Sequence, residues 1–314
     1  MSMLYLTEQN VRELLPLPVC IELLQTAFER LASGVAINQP RRRLILPTGS
    51  VLHYMAASDG KYYGAKIYAT NPRHGPNFLF LLYRAADAEP LAILEANALG
   101  QIRTGAASGL ATKFMAPADA ATLALIGSGF QARTQLDAMR AVRHFTDVRV
   151  WSRDPAKRAA FAAETNTRAV ETAEEAVRGA QVVLTATNSK EPVLSSEWIA
   201  PGTHINVMGS NQANRREVPA DLVHRADLIA VDSIEQARME AGDLLTALEE
   251  SEWSSPRIVE LKDVVAGAKA RTSPDQITLF KSVGLAVEDV ISAGFIYERA
   301  QAQGIGSPVA APHS

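Results

Sequence analysis

Cys20 is the only cysteine in 314 residues. That excludes an intrachain disulfide framework and a thiolate-rich zinc site, and it points to a reducing compartment. No metal is expected. A surplus of either charge is also missing, since 31 lysines and arginines face 34 aspartates and glutamates for a formal net of −3. Nothing in that balance calls for nucleic acid or an anionic membrane, so small molecules are the expected partners. Long apolar runs are absent too. No stretch of about 18 uninterrupted apolar residues occurs, and the start, MSMLYLTEQNVREL, lacks the basic segment and apolar run of a secretory signal. A cytoplasmic protein is expected, with no internal repeat or low-complexity segment.

What is present is 47% apolar content, enough for a sizeable core in one large or two ordinary domains. Up to about Asn97, two helices, Glu8 to Leu15 and Val19 to Ala32, precede the extended runs RRRLIL, VLHYMAA, YYGAKIYAT, NFLFLLYR and PLAILEA. Gly, Pro, Asn and Asp separate them, as in TGS and NPRHGPN, which is the punctuation of consecutive antiparallel strands. From Thr122 strand and helix alternate. TLALI, DVRVW, TRAVE, QVVLTAT, HINVMG and DLIAVD read as strands, with helices at Gln131 to Arg143, Asp154 to Glu164, Ala173 to Arg178 and Pro219 to His224. That alternation predicts an α/β fold with a doubly wound parallel sheet of Rossmann type. Between the two regions, ALGQIRTGAASGLATKFM predicts a small-residue helix with Asn97 as its N-cap. From Thr278, TLFKSVGLAVEDVISAGFIYERAQAQG reads as one long amphipathic helix returning to the first domain.

Gly127, Ser128, Gly129, Phe130, Gln131 and Ala132 spell the G-x-G-x-x-G/A fingerprint, after a strand and before a helix. Gly127 permits the tight turn, Gly129 lets a pyrophosphate approach the backbone, and Ala132 lets helix pack on strand. The helix start offers free N–H groups and a positive dipole end to phosphates. A dinucleotide is the expected ligand, with an adenosyl-methionine site as the lesser rival. An NAD site expects an acid about 20 residues beyond the fingerprint, at the end of the second strand. Here that strand ends in Ser152-Arg153-Asp154-Pro155, where Asp154 before Pro155 reads as a helix N-cap. Ser152 and Arg153 are left to face the adenosine ribose, a pair suited to a 2′-phosphate. NADP(H) is favoured, and NAD(H) stays open.

A second constellation is basic. Arg41-Arg42-Arg43 opens a strand, Lys66 lies in YYGAKIYAT, and Arg103 sits among small residues in QIRTGAASG. Alternation sends Arg42 to the face opposite Arg41 and Arg43. With no run of acids nearby, a substrate carboxylate is the expected partner of Arg42, Lys66 and Arg103.

Taken together, RRRLILPTGSVLHYM, YGAKIY, QIRTGAASGLATKF, ALIGSGFQARTQ, NVMGSNQANRREV and TLFKSVGLAVEDV resemble the ornithine cyclodeaminase and mu-crystallin family almost end to end. Its members also include alanine dehydrogenases and ketimine and pyrroline-2-carboxylate reductases. The resemblance implies an α+β substrate-binding and homodimerisation domain, residues 1–116 with 278–314, and an NAD(P)-binding Rossmann domain, residues 117–277. It also implies that Arg42, Lys66 and Arg103 hold the substrate carboxylate.

One departure matters. Ornithine cyclodeaminases of the family have an aspartate, in G-G-D or G-A-D, where this chain has Gly209-Ser210-Asn211. Asn211 can hydrogen-bond an amine but cannot hold its charge or take its proton. The expected activity is therefore NAD(P)H-dependent reduction of small 2-imino acids, cyclic or linear, reversible as amino-acid dehydrogenation. Lys66 orients the substrate and assists protonation, and Asn211, Thr185 and Thr187 lie beside the nicotinamide. Ornithine cyclodeamination and ligand binding without turnover are the alternatives.

Overall fold

The computed structural model describes residues 2–71 and 73–310. In chain order the elements are β1 (Ser2–Leu6), α1 (Glu8–Leu14), α2 (Leu17–Ala32), β2 (Ile37–Asn38), β3 (Arg42–Ile45), β4 (Val51–Ser58), β5 (Tyr62–Asn71), β6 (His74–Arg84), β7 (Pro90–Glu95) and α3 (Asn97–Met115). There follow β8 (Thr122–Ile126), α4 (Phe130–Val142), β9 (Asp147–Trp151), α5 (Pro155–Thr165), β10 (Arg168–Ala169), α6 (Ala173–Val177), β11 (Val182–Thr185), β12 (His204–Val207), α7 (Ala220–Arg225) and β13 (Leu228–Val231). The chain continues through α8 (Ile234–Glu240), α9 (Gly242–Leu245), β14 (Ile258–Glu260), α10 (Leu261–Val265), β15 (Thr278–Lys281), α11 (Ala286–Gln303) and β16 (Ser307–Ala310). Two compact units result, one of Met1–Arg103 with Leu285–Ser314 and one of Thr104–Gly284.

The first unit is built on an eight-stranded mixed sheet ordered β16-β1-β7-β6-β5-β4-β2, with β3 also paired to β4. The run β4 to β7 is the expected antiparallel meander. On β5 the period of two is clean: Tyr62, Gly64, Lys66 and Tyr68 are buried, and the residues between them are half-exposed. The buried face packs against α11, whose Gly294 lies so close to Tyr62 that a Cβ there would come within 2.5 Å of the ring. The other face leaves Leu52, Tyr54 and Leu79 exposed. The start of α3 is held by Glu8, which accepts from the N–H groups of Asn97 at 2.7 Å and Ala98 at 2.5 Å. The cap expected of Asn97 is thus supplied by a carboxylate from α1, the sign of charge that a helix start favours.

The second unit carries an eight-stranded sheet ordered β10-β9-β8-β11-β12-β15-β13-β14, and every pairing in it is parallel. Strands β11, β12, β13 and β15 are buried on both faces; β11 (VVLT) and β13 (LIAV) accordingly read as apolar runs, whereas β12 and β15 carry buried polar side chains, His204, Asn206, Thr278 and Lys281. The long helix expected from Thr278 is corrected here. Thr278–Lys281 is β15, bonded between β12 and β13, and α11 begins only at Ala286. A short apolar run does not distinguish a buried strand from a buried helix by period alone. Among the described residues no helix is long and apolar enough to cross a membrane.

Candidate functional site

In the second unit the chain reverses order at β8, with β9 and β10 on one side and β11 and β12 on the other, the switch point where such sheets bind ligands. The fingerprint follows β8 directly. Gly127 has φ +120° and a Cβ there would lie 2.5 Å from the Ala186 carbonyl oxygen, so only glycine fits. Gly129 is the N-cap of α4, with no side-chain cap and nothing within 4 Å of where its Cβ would stand. That open cradle at a helix start fits a phosphate. Ala132 is buried, Phe130 is exposed, and Gln131 has a buried Oε1 with no hydrogen-bond partner among the described residues. Ser128 donates to Ser152 at 2.8 Å, which joins the fingerprint to the end of β9. Asp154 caps α5 by accepting from Ala156 at 3.0 Å and Lys157 at 3.1 Å. Arg153 stands exposed beside it.

The loops after β11 and β12 are tied together by a residue that no motif singled out. Glu217 is fully buried and accepts from Thr185 Oγ1 at 2.8 Å, Thr187 N at 2.7 Å, Thr187 Oγ1 at 2.7 Å and Gly209 N at 2.6 Å. Burial pushes its carboxyl pKa up, against the opposing pull of Lys281 and the Thr187 donors. Both threonine hydroxyls are therefore directed to Glu217, and Thr185 is wholly buried, so the cofactor role expected of their side chains is not what the geometry gives them. Asn211 lies half-buried in the turn that begins at Gly209.

In the first unit the basic residues converge on the buried face of the sheet. Lys66 Nζ is 3.0 Å from Asp289 Oδ1, and Arg103 reaches Glu288 Oε2 at 2.9 Å and Asp289 Oδ1 at 3.3 Å. Residues Lys66, Arg103, Glu288 and Asp289 are all buried. The acids that sequence proximity could not show arrive from α11. Burial first, then the Arg103 charge, lowers the Lys66 pKa to about 8 despite Asp289. Burial and the neighbouring positive charge thus outweigh the pull of Asp289 on its proton.

The third cation is not the one expected. Arg42 opposes Tyr54 on the exposed face, whereas Arg41 is buried, with Nη2 3.7 Å from Met55 Sδ, and its charge bears on Lys66. Register explains it: Met55 opposes Lys66 across β4 and β5, so the arginine over Met55 shares the face of Lys66, and its chain neighbour must point the other way. Beside this row runs an aromatic one. His53 stacks on Tyr68 at 4.3 Å between centroids, Phe78 packs on Tyr68 at 4.4 Å, and Lys66 Nζ stands 5.4 Å from the Phe78 ring. Burial and the charges of Arg43 and Arg41 hold the His53 pKa down to about 4, so its ring is neutral at pH 7.

A parallel sheet with this strand order and a glycine turn at its switch point defines a dinucleotide-binding protein of the Rossmann class. The chain belongs to the ornithine cyclodeaminase/mu-crystallin family, whose model matches residues 1–304. It is 36% identical over 286 residues to Delta(1)-pyrroline-2-carboxylate reductase of Bacillus cereus, 87% of this chain and 86% of that one. The structure of Thermococcus litoralis Delta(1)-pyrroline-2-carboxylate reductase in complex with NADH and L-proline is similar at TM-score 0.90 and 33% identity, covering 98% of this chain and 100% of that chain. An archaeal alanine dehydrogenase dimer with bound NAD gives TM-score 0.92 at 30% identity, covering 99% of both.

Proposed function

We propose that the chain is an NAD(P)H-dependent reductase of small 2-imino acids. The observation that carries this reading is the convergence of Lys66, Arg103 and Arg41 on one buried face, in a chain whose other unit is built to hold a dinucleotide. Names of the relatives agree with it: two are reductases of a cyclic 2-imino acid, and one is an amino-acid dehydrogenase.

Gly127, Ser128, Gly129, Phe130, Gln131 and Ala132 would hold the pyrophosphate, and Ser152 and Arg153 the adenosine ribose. Bound NAD(P)H supplies a hydride for the carbon of the C=N bond. The guanidinium groups of Arg41 and Arg103 bind the substrate carboxylate and fix the orientation of the imine. Asp289 holds Lys66 in place, and Lys66 Nζ, whose proton is less tightly held than that of a free lysine, delivers it to the imine nitrogen. Asn211 has an amide suited to hydrogen-bonding a substrate nitrogen without taking its proton. Exposed Arg153 beside the Ser128–Ser152 pair supports a preference for NADP(H). The exposed Leu52, Tyr54 and Leu79 face supports a homodimer formed through the first unit. The substrate and dimerisation domain expected at 1–116 with 278–314 then corresponds to the unit of Met1–Arg103 with Leu285–Ser314, and the cofactor domain expected at 117–277 to the longer unit Thr104–Gly284, which takes in most of α3 and all of β15.

Purified protein with reduced cofactor and pyrroline-2-carboxylate, piperideine-2-carboxylate, or pyruvate plus ammonia tests the reading by oxidation of the cofactor. Consumption with at least one imine is expected. Should ornithine with oxidised cofactor instead give proline and ammonia at a rate matching the best imine, Asn211 does not bar cyclodeamination and the reading fails.

A further inference from the structure

Glu217 holds more than its own loop. Each of its carboxylate oxygens accepts one backbone N–H and one hydroxyl: Thr187 N and Thr187 Oγ1 at Oε1, Gly209 N and Thr185 Oγ1 at Oε2. The first pair belongs to the loop after β11 and Gly209 to the turn after β12, so one carboxylate joins the ends of two adjacent parallel strands. The joint is tight, since a Cβ on Gly209 would stand 2.0 Å from the Thr187 carbonyl oxygen and 2.4 Å from Glu217 Oε1.

A buried charge pair, Asp243 with Lys281, completes the arrangement. Asp243 Oδ1 accepts from the backbone N–H of Glu217 at 2.5 Å and of Val218 at 3.1 Å. Its Oδ2 is 2.7 Å from Lys281 Nζ, which also donates to the Ser210 carbonyl at 2.8 Å. The turn carrying Asn211 is thereby gripped on both sides, at the Gly209 N–H by Glu217 and at the Ser210 C=O by Lys281. Glu217, Asp243 and Lys281 are each wholly buried. Buried ions are poor value as stability alone, and they are better suited to fixing one geometry.

The fingerprint after β8 takes the pyrophosphate at the switch point, and the half of the dinucleotide beyond it falls to the strand ends of β11 and β12. We infer that Glu217, braced by Asp243 and Lys281, is a positioning residue for the nicotinamide end of the dinucleotide. It acts through the Thr187 loop and the Gly209-Ser210-Asn211 turn. The inference rests on the dinucleotide part of the function proposed above, not on the identity of the imine.

Glu217→Gln tests it cleanly, because either orientation of the amide sets its NH2 against a backbone N–H, of Thr187 or of Gly209. Affinities of the full-length protein for NADH and for ADP-ribose, which lacks the nicotinamide, are measured by calorimetry. In Glu217→Gln, NADH binding should weaken about tenfold while ADP-ribose stays within about twofold, tenfold corresponding to about 1.4 kcal/mol. Equal loss for both ligands, or none for either, overturns the inference, as does a wild-type protein that binds NADH no more tightly than ADP-ribose. If Glu217→Gln does not fold, Thr185→Val removes a single donor from the carboxylate and should show the same split at about threefold; again, an equal effect on both ligands overturns it. The NADH and ADP-ribose split without turnover of any imine would remove the reductase reading and leave this inference standing.

Discussion

Lys66 on β5 and Asp289 on α11 meet at 3.0 Å across 223 positions of sequence, both buried. Asp289 Oδ1 is shared with Arg103 Nε at 3.3 Å, so one carboxylate spaces the two cations expected to meet the substrate. The carboxy-terminal helix thus supplies the acids of the candidate site and is not only a cover for the sheet.

Asp289→Asn keeps the shape and removes the charge. Breaking a buried pair by removing one partner costs about 3 to 5 kcal/mol, and the lower end is expected here because Lys66 can shed its proton. The charge of Asp289 and its hydrogen bond raise the Lys66 pKa, so their loss lowers that pKa further. Urea unfolding should show the lost stability, and kcat/KM should begin to fall at a lower pH than in the parent. An unchanged midpoint together with an unchanged pH profile would count against the pairing.

A lysine held at about 8 titrates within reach of assay. The protonated form carries the proton that goes to the imine nitrogen, so activity is present below that pH and lost above it. In the free enzyme kcat/KM should fall with unit slope above about pH 8. Lys66→Arg keeps a charge that does not titrate below about pH 12. It should remove this alkaline limb and lower the maximum, because a guanidinium does not readily give its proton to the imine nitrogen. A limb that persists in Lys66→Arg belongs to another group.

Several parts of this were legible in the chain itself. The G-S-G-F-Q-A turn between strand and helix located the switch point, and Asp154-Pro155 gave the start of α5 with its cap. Lys66 and Arg103 stood out as cations among apolar or small neighbours. Three things were hidden for physical reasons. Period two separates Arg41 from Arg42 but does not say which faces the core; only the pairing of Met55 with Lys66 does. Glu288 and Asp289 read as the polar side of a helix, because an acid buried against cations looks no different in sequence from one in water. Lys281 is hidden with β15: an amphipathic helix from Thr278 asks for no partner for it, whereas in a strand buried on both faces it must find an anion, and it finds Asp243.

The register correction has a direct consequence. Arg41→Ala removes a buried guanidinium from the Lys66 face, and truncating one member of a buried charge contact costs on the order of 2 to 5 kcal/mol. That corresponds to a loss in kcat/KM of roughly thirtyfold to several thousandfold, mostly through KM. Arg42→Ala, on the exposed face, should leave KM for the imine within about twofold. Steady-state kinetics on the two variants decides the matter, and a larger effect at Arg42 would restore the original assignment.

Arg153 bears on the choice of cofactor. Asp154, the one acid at the end of β9, spends its carboxylate on the N–H groups of Ala156 and Lys157, and so is a poor acceptor for ribose hydroxyls. Ser152 is tied to Ser128, and Arg153 is exposed at the same strand end. NADPH should bind more tightly than NADH. Losing one charge-assisted contact to a phosphate weakens binding roughly tenfold to a hundredfold. Arg153→Ala should close most of the gap by weakening NADPH and leaving NADH nearly unchanged. The gap should also shrink as salt is raised, because an exposed contact is screened. Titration of nicotinamide fluorescence for both cofactors, in parent and variant, measures all of this, and equal affinities in the parent would assign Arg153 to solvent and the cofactor to NAD(H).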